Sequence, residues 1–387
     1  MAKASASNGT VTRTTGATVA DLCKALEGQF AERSGAIRAL GRAFLAGEHA
    51  FLLGEPGTGK SLLVRTFAQA LGLSYWEHLM TRFSTPEELF GPLSITQLQK
   101  DRYTRAMDGY LPRAEVAFLD ECWKANGGIL NALLTITNER VFHDDGKPVS
   151  CPLVSLVGAS NELPESESEL GALYDRFLVR LVTNYVSDRG AFETMLFGAS
   201  PAVPTLAIDL RAEQKAARAV EIPDDVRVAI VDLRYKARDA GYKVSDRRWR
   251  QCVALVRASA HLEGRTVASV DDLECLEDVL WRAPEERVAV AKLIQEISNP
   301  DGAKAVQALD EAREIFGRLP AIKADCSAAE RTQALGAVSQ AVTDIKALTN
   351  RVEGLSKGRK VNEAVAEIAR IRKETSKAAA RLSGLEV

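Results

Sequence analysis

Residues 54–61 read Gly-Glu-Pro-Gly-Thr-Gly-Lys-Ser, the spacing GxxxxGK[ST]. Each residue type in that pattern suits a nucleoside triphosphate. Glycines let main-chain N–H groups turn inward around phosphate oxygens with no Cβ in the way. Lys60 would bring its ammonium to the β- and γ-phosphates, and the Ser61 hydroxyl would help hold Mg²⁺. A helix that starts there adds the positive end of its dipole. The segment expected to touch nucleotide is therefore Gly54, Glu55, Pro56, Gly57, Thr58, Gly59, Lys60, Ser61 and Leu62, with ATP and Mg²⁺ as the implied ligands.

Two carboxylates, Asp120 and Glu121, end the apolar run VAFLD at 116–120. At a strand tip beside a phosphate loop, the first can reach the Mg²⁺ shell and the second can polarise the attacking water. Asn161 follows a third apolar run, where its amide suits either a turn or the positioning of water near a γ-phosphate. Arg176, in ALYDRF, is a candidate for the arginine that stabilises charge in phosphoryl transfer, in cis or from a neighbouring copy. Arg247 and Arg248, in SDRRW, are either ordinary surface charges or a second cation reaching the phosphates from a helical region.

Positioning these groups calls for strands alternating with helices. Residues 19–47 carry apolar residues at helical spacing, HAFLLG at 49–54 is the length of a buried strand, and SLLVRTFAQAL reads as the next helix. The order repeats with VAFLD, GILNALLTITN at 128–138 and LVSLVGA at 153–159, which implies a parallel sheet covered on both faces. Asp145-Gly146 is a hairpin turn signal within RVFHDDGKPVS. Beyond about residue 200 the strand signals fade and helical patterns take over, including VDDLECLEDVLW at 270–281. The expected organisation is a disordered tail at 1–17, an αβα nucleotide-binding domain at 18–199, an all-α domain at 200–283 and a C-terminal helical region at 284–387. Within the last, Ser327 with Glu330 marks a helix start. Two apolar stripes joined by SKG predict a hairpin over about 327–385, either packed on its own ATPase domain or free to bind a partner.

The net charge of −2 argues against a nucleic-acid binder, which usually carries a basic excess. Six scattered cysteines without a CxxC pair suit a reducing compartment, and four histidines form no metal motif. The polar N-terminus lacks a secretory signal and no apolar run is long enough to span a membrane, so a cytoplasmic location is expected.

Together these segments resemble the MoxR group of AAA+ ATPases, and its RavA branch most, over about residues 19–283. The resemblance rests on ERSGAIR at 32–38, GEPGTGKS, RFSTPEELFGPLS at 82–94, GYLPRAEVAFLDECWKAN at 109–126, ILNALLTITNER at 129–140, GASNELPES at 158–166, ALYDRFLVR at 172–180 and SDRRW at 245–249. It implies a Walker A motif with Lys60 and Ser61, and a Walker B motif with Asp120 for Mg²⁺ and Glu121 as base. It implies sensor 1 at Asn161, an arginine finger at Arg176 acting on a neighbouring subunit's ATP, and sensor 2 at Arg247 with Arg248 as its rival. Segment 82–112 falls at the helix-2 insertion, which faces the ring pore, and 140–150 at the hairpin before sensor 1.

Such proteins form hexameric rings, work with a von Willebrand factor A domain partner, and remodel or activate client proteins. The resemblance departs at 284–387, where only helical pattern is found and not the β-rich module that docks an amino-acid decarboxylase in the best-known RavA type. The alternative readings are a nucleic-acid-associated AAA+ motor and a nucleotide-gated assembly scaffold.

Overall fold

The computed structural model describes residues 14–164, 170–199, 202–319, 328–355 and 359–383. The chain divides into two compact units, Met1–Val290 and Ala291–Val387.

The first unit is built on a five-stranded parallel sheet. Its strands are β1 (His49–Leu53), β2 (Tyr75–Leu79), β3 (Val116–Asp120), β6 (Ser155–Ser160) and β7 (Phe177–Val182), in the order β2–β3–β6–β1–β7. Between β3 and β6 the chain makes an antiparallel hairpin, β4 (Val141–Asp144) with β5 (Lys147–Ser150). Its turn residues Asp145 and Gly146 both have positive φ, 49° and 71°, as the Asp-Gly signal predicts. Strands β1, β3 and β6 read as continuous apolar runs because both faces of the sheet are covered. Strands β2 and β7 carry no such signal. Strand β2 is a part-exposed edge, YWEHL, and β7 is the opposite edge, with a buried arginine, Arg180, in its middle.

Helices α1 (Val19–Glu27), α2 (Ser34–Ala46), α3 (Lys60–Ala70), α4 (Pro86–Phe90), α5 (Ile95–Leu98), α6 (Gly127–Glu139) and α7 (Leu170–Arg176) accompany these strands. One face of the sheet sets Phe51, Ala117, Leu119, Leu156 and Phe177 against Ile129, Leu133 and Ile136 of α6. Phe51 sits at the centre of that face, with its ring 4.9 Å from Trp123, 5.7 Å from Tyr174 and 5.8 Å from Phe177. The alternate residues Ala50, Leu52, Val116 and Phe118 point the other way.

Helix α8 (Arg189–Phe197) follows β7, and beyond Leu206 helical structure dominates with α9 (Leu210–Arg218), α10 (Asp224–Asp239) and α11 (Asp246–Leu262). The predicted helix in VDDLECLEDVLW forms instead as a 3-10 helix, Val270–Asp278. Its start is held by a capping box between Ser269 and Asp272, and Arg265 pairs with the buried Asp272 carboxylate at 2.6 Å. The predicted disordered tail is also revised. Thr14–Thr15 pairs in parallel with Leu206–Ala207, and Thr18 caps α1 with a capping box to Asp21; residues 1–13 lie outside the described residues.

Helix α12 (Arg287–Ser298) crosses the boundary between the units. The second unit is a three-helix bundle of α13 (Pro300–Gly317), α14 (Ala328–Glu353) and α15 (Arg359–Ser383). Ile345, Leu348 and Val352 meet Val361, Ile368 and Ile371, so the two predicted stripes do face each other. Alanines 305, 308 and 312 of α13 complete that core. The Ser327 cap and the SKG turn lie outside the described residues.

Candidate nucleotide site

Loop 54–59 leaves the end of β1 in the middle of the C-terminal edge of the sheet, where open parallel sheets place their ligands. Gly54 N–H donates to Ser160 O at the end of β6 (3.0 Å). On its other side a Cβ at Gly54 would lie 2.1 Å from Thr183 O, so only glycine lets β1 end this close to β7. Gly57 and Gly59 take φ of 79° and 81°. Helix α3 then starts at Lys60 with no side-chain cap on its first turn. Its first N–H groups therefore open toward the loop, a ready seat for an anion.

Lys60 curls back over this loop. Its ammonium donates to Gly54 O at 2.7 Å and Glu55 O at 2.9 Å. Partial burial pushes its pKa below the ordinary lysine value, while the charges of Asp120, Glu121 and Glu55 pull the other way. Asp120 ends β3 and Glu121 follows it; β3 is separated from β1 only by β6, about 10 Å across two strand spacings. Glu121 has φ 50° and ψ 42°, a left-handed conformation sparsely used by non-glycine residues. Its carboxylate lies 3.3 Å from the Lys124 ammonium. Asn161 directly follows Ser160 and is exposed. The same edge thus collects Lys60, Ser61, Asp120, Glu121 and Asn161.

The arginines are placed elsewhere. Arg176 stands immediately before β7 and donates to Asn138 Oδ1 near the end of α6 (3.2 Å). Phe177 pairs in register with His49, so Arg176 is at the N-terminal edge of the sheet, about 16 Å of strand from the loop. Helix α11 begins at that edge too: Ser245 Oγ donates to Asp175 Oδ2 (3.2 Å). Arg247 is exposed there. Arg248 is buried and donates to the carbonyls of Asp175 (3.2 Å), Phe177 (2.9 Å), Leu178 (2.8 Å) and Val279. Its guanidinium is committed to main chain, which separates it from its neighbour. Within one chain neither Arg176 nor Arg247 is brought to Lys60.

A cation that the sequence reading passed over does reach the loop. Arg33, before α2, donates to Thr58 O (3.2 Å) and to Asn184 O just past β7 (2.7 Å). Next to it Glu32, also at positive φ, accepts from the N–H groups of Ser187 (3.0 Å) and Asp188 (2.6 Å), which hold its carboxyl below the usual range. Tyr185 Oη donates to Pro56 O (3.1 Å). These contacts border a cavity of about 380 Å³ lined by Glu32, Arg33, Ala36, Thr183 and, from the 3-10 helix, Glu274 and Asp278. No spacing rule flags such residues, because they meet only through the fold; in the sequence, ERSGAIR carries a family resemblance and no chemistry of its own.

Residues 17–205 match the family model of the MoxR domain in the MoxR-vWA-beta-propeller ternary systems, and residues 225–294 match an AAA lid domain. Two uncharacterised proteins of Methanocaldococcus jannaschii are similar. One is 42% identical over 294 residues, covering 75% of this chain and 76% of its own; the other is 40% identical over 298 residues, covering 76% and 78%. The chain belongs to the MoxR group of AAA+ ATPases. A crystal structure of a Cytophaga hutchinsonii protein proposed to be an ATPase superposes with a TM-score of 0.57 at 18% identity, covering 72% of this chain and 92% of that one, which shows the shared fold. The parallel αβα core with a helical lid is thus the AAA+ arrangement expected from the motifs. The matches reach MoxR and do not single out the RavA branch. Among the described residues of this MoxR-type chain, no helix is long and apolar enough to cross a membrane.

Proposed function

We propose that this MoxR-type protein is an ATP-hydrolysing, ring-forming motor, a chaperone-like machine that remodels or activates a client protein. One observation carries the reading: the Lys60 ammonium lies in a loop of inward-facing backbone, within electrostatic reach of Asp120 and Glu121. The uncapped start of α3, the positive-φ glycines Gly57 and Gly59 of the loop and the oxygen donors of Ser61 and Asp120 suit a triphosphate with Mg²⁺. Bound Mg²⁺ would neutralise phosphate charge. Lys60 would exchange its two loop carbonyls for phosphate oxygens. Glu121 Oε would take the proton of the attacking water, and Asn161 would orient that water. The cavity beside Arg33 and Thr183 would take the base.

Arg176 and Arg247 share the far edge of the sheet. Each would therefore serve the nucleotide of a neighbouring copy, so that hydrolysis depends on assembly, with a hexamer as the proposed state. Segment 82–112 carries exposed Phe83, Ile95 and Tyr103, apolar groups suited to grip a client as the lid moves against the core. A von Willebrand factor A domain partner is proposed because the matched family model is described from systems that contain one. The test is affinity capture with Glu121→Gln in the presence of ATP. A trapped client released by ADP supports the motor. A variant that hydrolyses ATP at the wild-type rate removes Glu121 from the chemistry.

A further inference from the structure

A second cavity, of about 670 Å³, opens at the far edge of the sheet between β7 and the start of α11. It faces away from the phosphate loop. Six cationic side chains and a single carboxylate, Asp175, line it. Arg248 is spent on main-chain carbonyls. Arg234 and Arg238 pair with Asp246 (2.7 Å) and Asp239 (3.1 Å), contacts exposed enough to exchange readily. Lys243 and Arg282 are exposed, and no ion pair engages their side chains among the described residues.

The sixth cation is Arg180, from the middle of β7 and only 2% exposed. Its Nη1 donates to Trp281 O and its Nη2 to Tyr174 O (3.3 Å), and its guanidinium lies 3.9 Å from the centre of the Tyr174 ring; all these partners are uncharged. Its buried Nε–H has no acceptor among the described residues. Burial, and then the adjacent Arg248 cation, push its pKa down to about 9. A buried cation beside further cations is costly unless a counter-charge is supplied. Asp246 and Asp239 offset Arg234 and Arg238 at the rim, which leaves Asp175 as the carboxylate lining a wall that also holds Arg180, Lys243, Arg248 and Arg282.

We propose that the cavity binds a small polyanion of the phosphate class, carrying at least two anionic oxygens groups apart, such as a diphosphate. The volume is that of a small-molecule site rather than of a protein interface, and arginine forks match phosphate oxygens. The anion would bridge Lys243, on the lid side, to Arg282, and give Arg180 its missing counter-charge.

Phosphate chemistry has two sources here, a free diphosphate and the nucleotide tail held by a neighbouring copy. Inorganic pyrophosphate titrated calorimetrically into full-length Lys60→Ala separates them, because that variant lacks the loop lysine in every copy. The expected result is one pyrophosphate per chain, with affinity falling at least tenfold in Lys60→Ala/Lys243→Ala/Arg282→Ala and retained in Lys60→Ala/Lys243→Arg. Circular dichroism checks that each variant is folded. No binding to folded Lys60→Ala, or equal binding with and without Lys243 and Arg282, overturns the proposal. Binding that requires Lys60 assigns the anion to the phosphate loop and overturns it as well. Since the loop chemistry is measured by ATP turnover of the wild type, either site can fail without the other.

Discussion

Arg248 donates to the carbonyl oxygen of Phe177 at 2.9 Å, and that one bond ties the start of the lid helix α11 to the first residue of β7. Three more carbonyls share the same buried guanidinium. Arg248→Ala leaves these acceptors without their donor, at a cost of about 1–3 kcal/mol for a buried group left unpaired. Thermal unfolding of that variant is expected many degrees below wild type, while Arg247→Ala, at an exposed position, unfolds with the parent. Equal melting of the two variants would mean that the clamp contributes nothing.

Gly54→Ala places a methyl group 2.1 Å from Thr183 O, a distance that main-chain atoms cannot keep. The end of β1 must move, and the loop carbonyls that hold Lys60 move with it. Nucleotide affinity, read by fluorescent ATP analogue binding, is expected to drop by at least a hundredfold. An unchanged affinity would show that the loop tolerates the shift.

Glu121→Gln removes the proposed base and keeps its shape. General-base catalysis is worth about 10²–10⁴ in rate, so kcat should fall in that range with nucleotide binding retained. Lys60→Ala should instead lose binding. The pair is checked by steady-state phosphate release together with equilibrium binding.

Arg176→Ala tests action across copies. Removal of a phosphate-facing arginine costs about 10³–10⁵ in turnover. Mixing it with Lys60→Ala, itself inactive, should restore activity, since Lys60→Ala copies can lend Arg176 to the intact loops of the other. Absence of rescue, with both variants assembled, would place Arg176 outside the site.

Glu48 makes stability depend on pH. Burial raises its carboxyl to about 7, against the opposing pull of Arg140, the Gln251 amide and Arg248. The folded chain then binds the proton more tightly than the unfolded chain, whose carboxyl titrates near 4.5. Stability from this group is full below pH 4.5 and declines as pH rises toward 7, by roughly 3 kcal/mol at most. His49 beside it works in the opposite sense. Burial, then Arg140, lower its pKa to about 3, so it resists protonation as pH falls. The melting temperature of wild type minus that of Glu48→Gln, followed from pH 5 to 8, isolates the Glu48 contribution and should fall with pH. A flat difference would contradict it.

Much of the αβα core was legible because buried parallel strands announce themselves as apolar runs, as HAFLLG, VAFLD and LVSLVGA did. Edge strands do not. YWEHL keeps polar groups on its open side, and FLVRLV hides a charged residue, Arg180, that donates to the carbonyls of Tyr174 and, past the 3-10 helix, Trp281. The predicted helix at 270–281 shows the same limit, since apolar spacing alone did not distinguish a 3-10 helix from an α-helix there.

By itself the sequence determined the phosphate loop, the acidic pair at the end of β3, the Asp-Gly hairpin and the MoxR kinship, because each is written in adjacent residues whose chemistry is local. Only the tertiary structure decided that Arg248 is a clamp while Arg247 faces outward, that Arg33 joins the loop, and that Arg176 stands at the opposite edge from Lys60. Those relations depend on strand order and on which end of the sheet each helix meets, and such distances are set by packing between residues far apart in the chain.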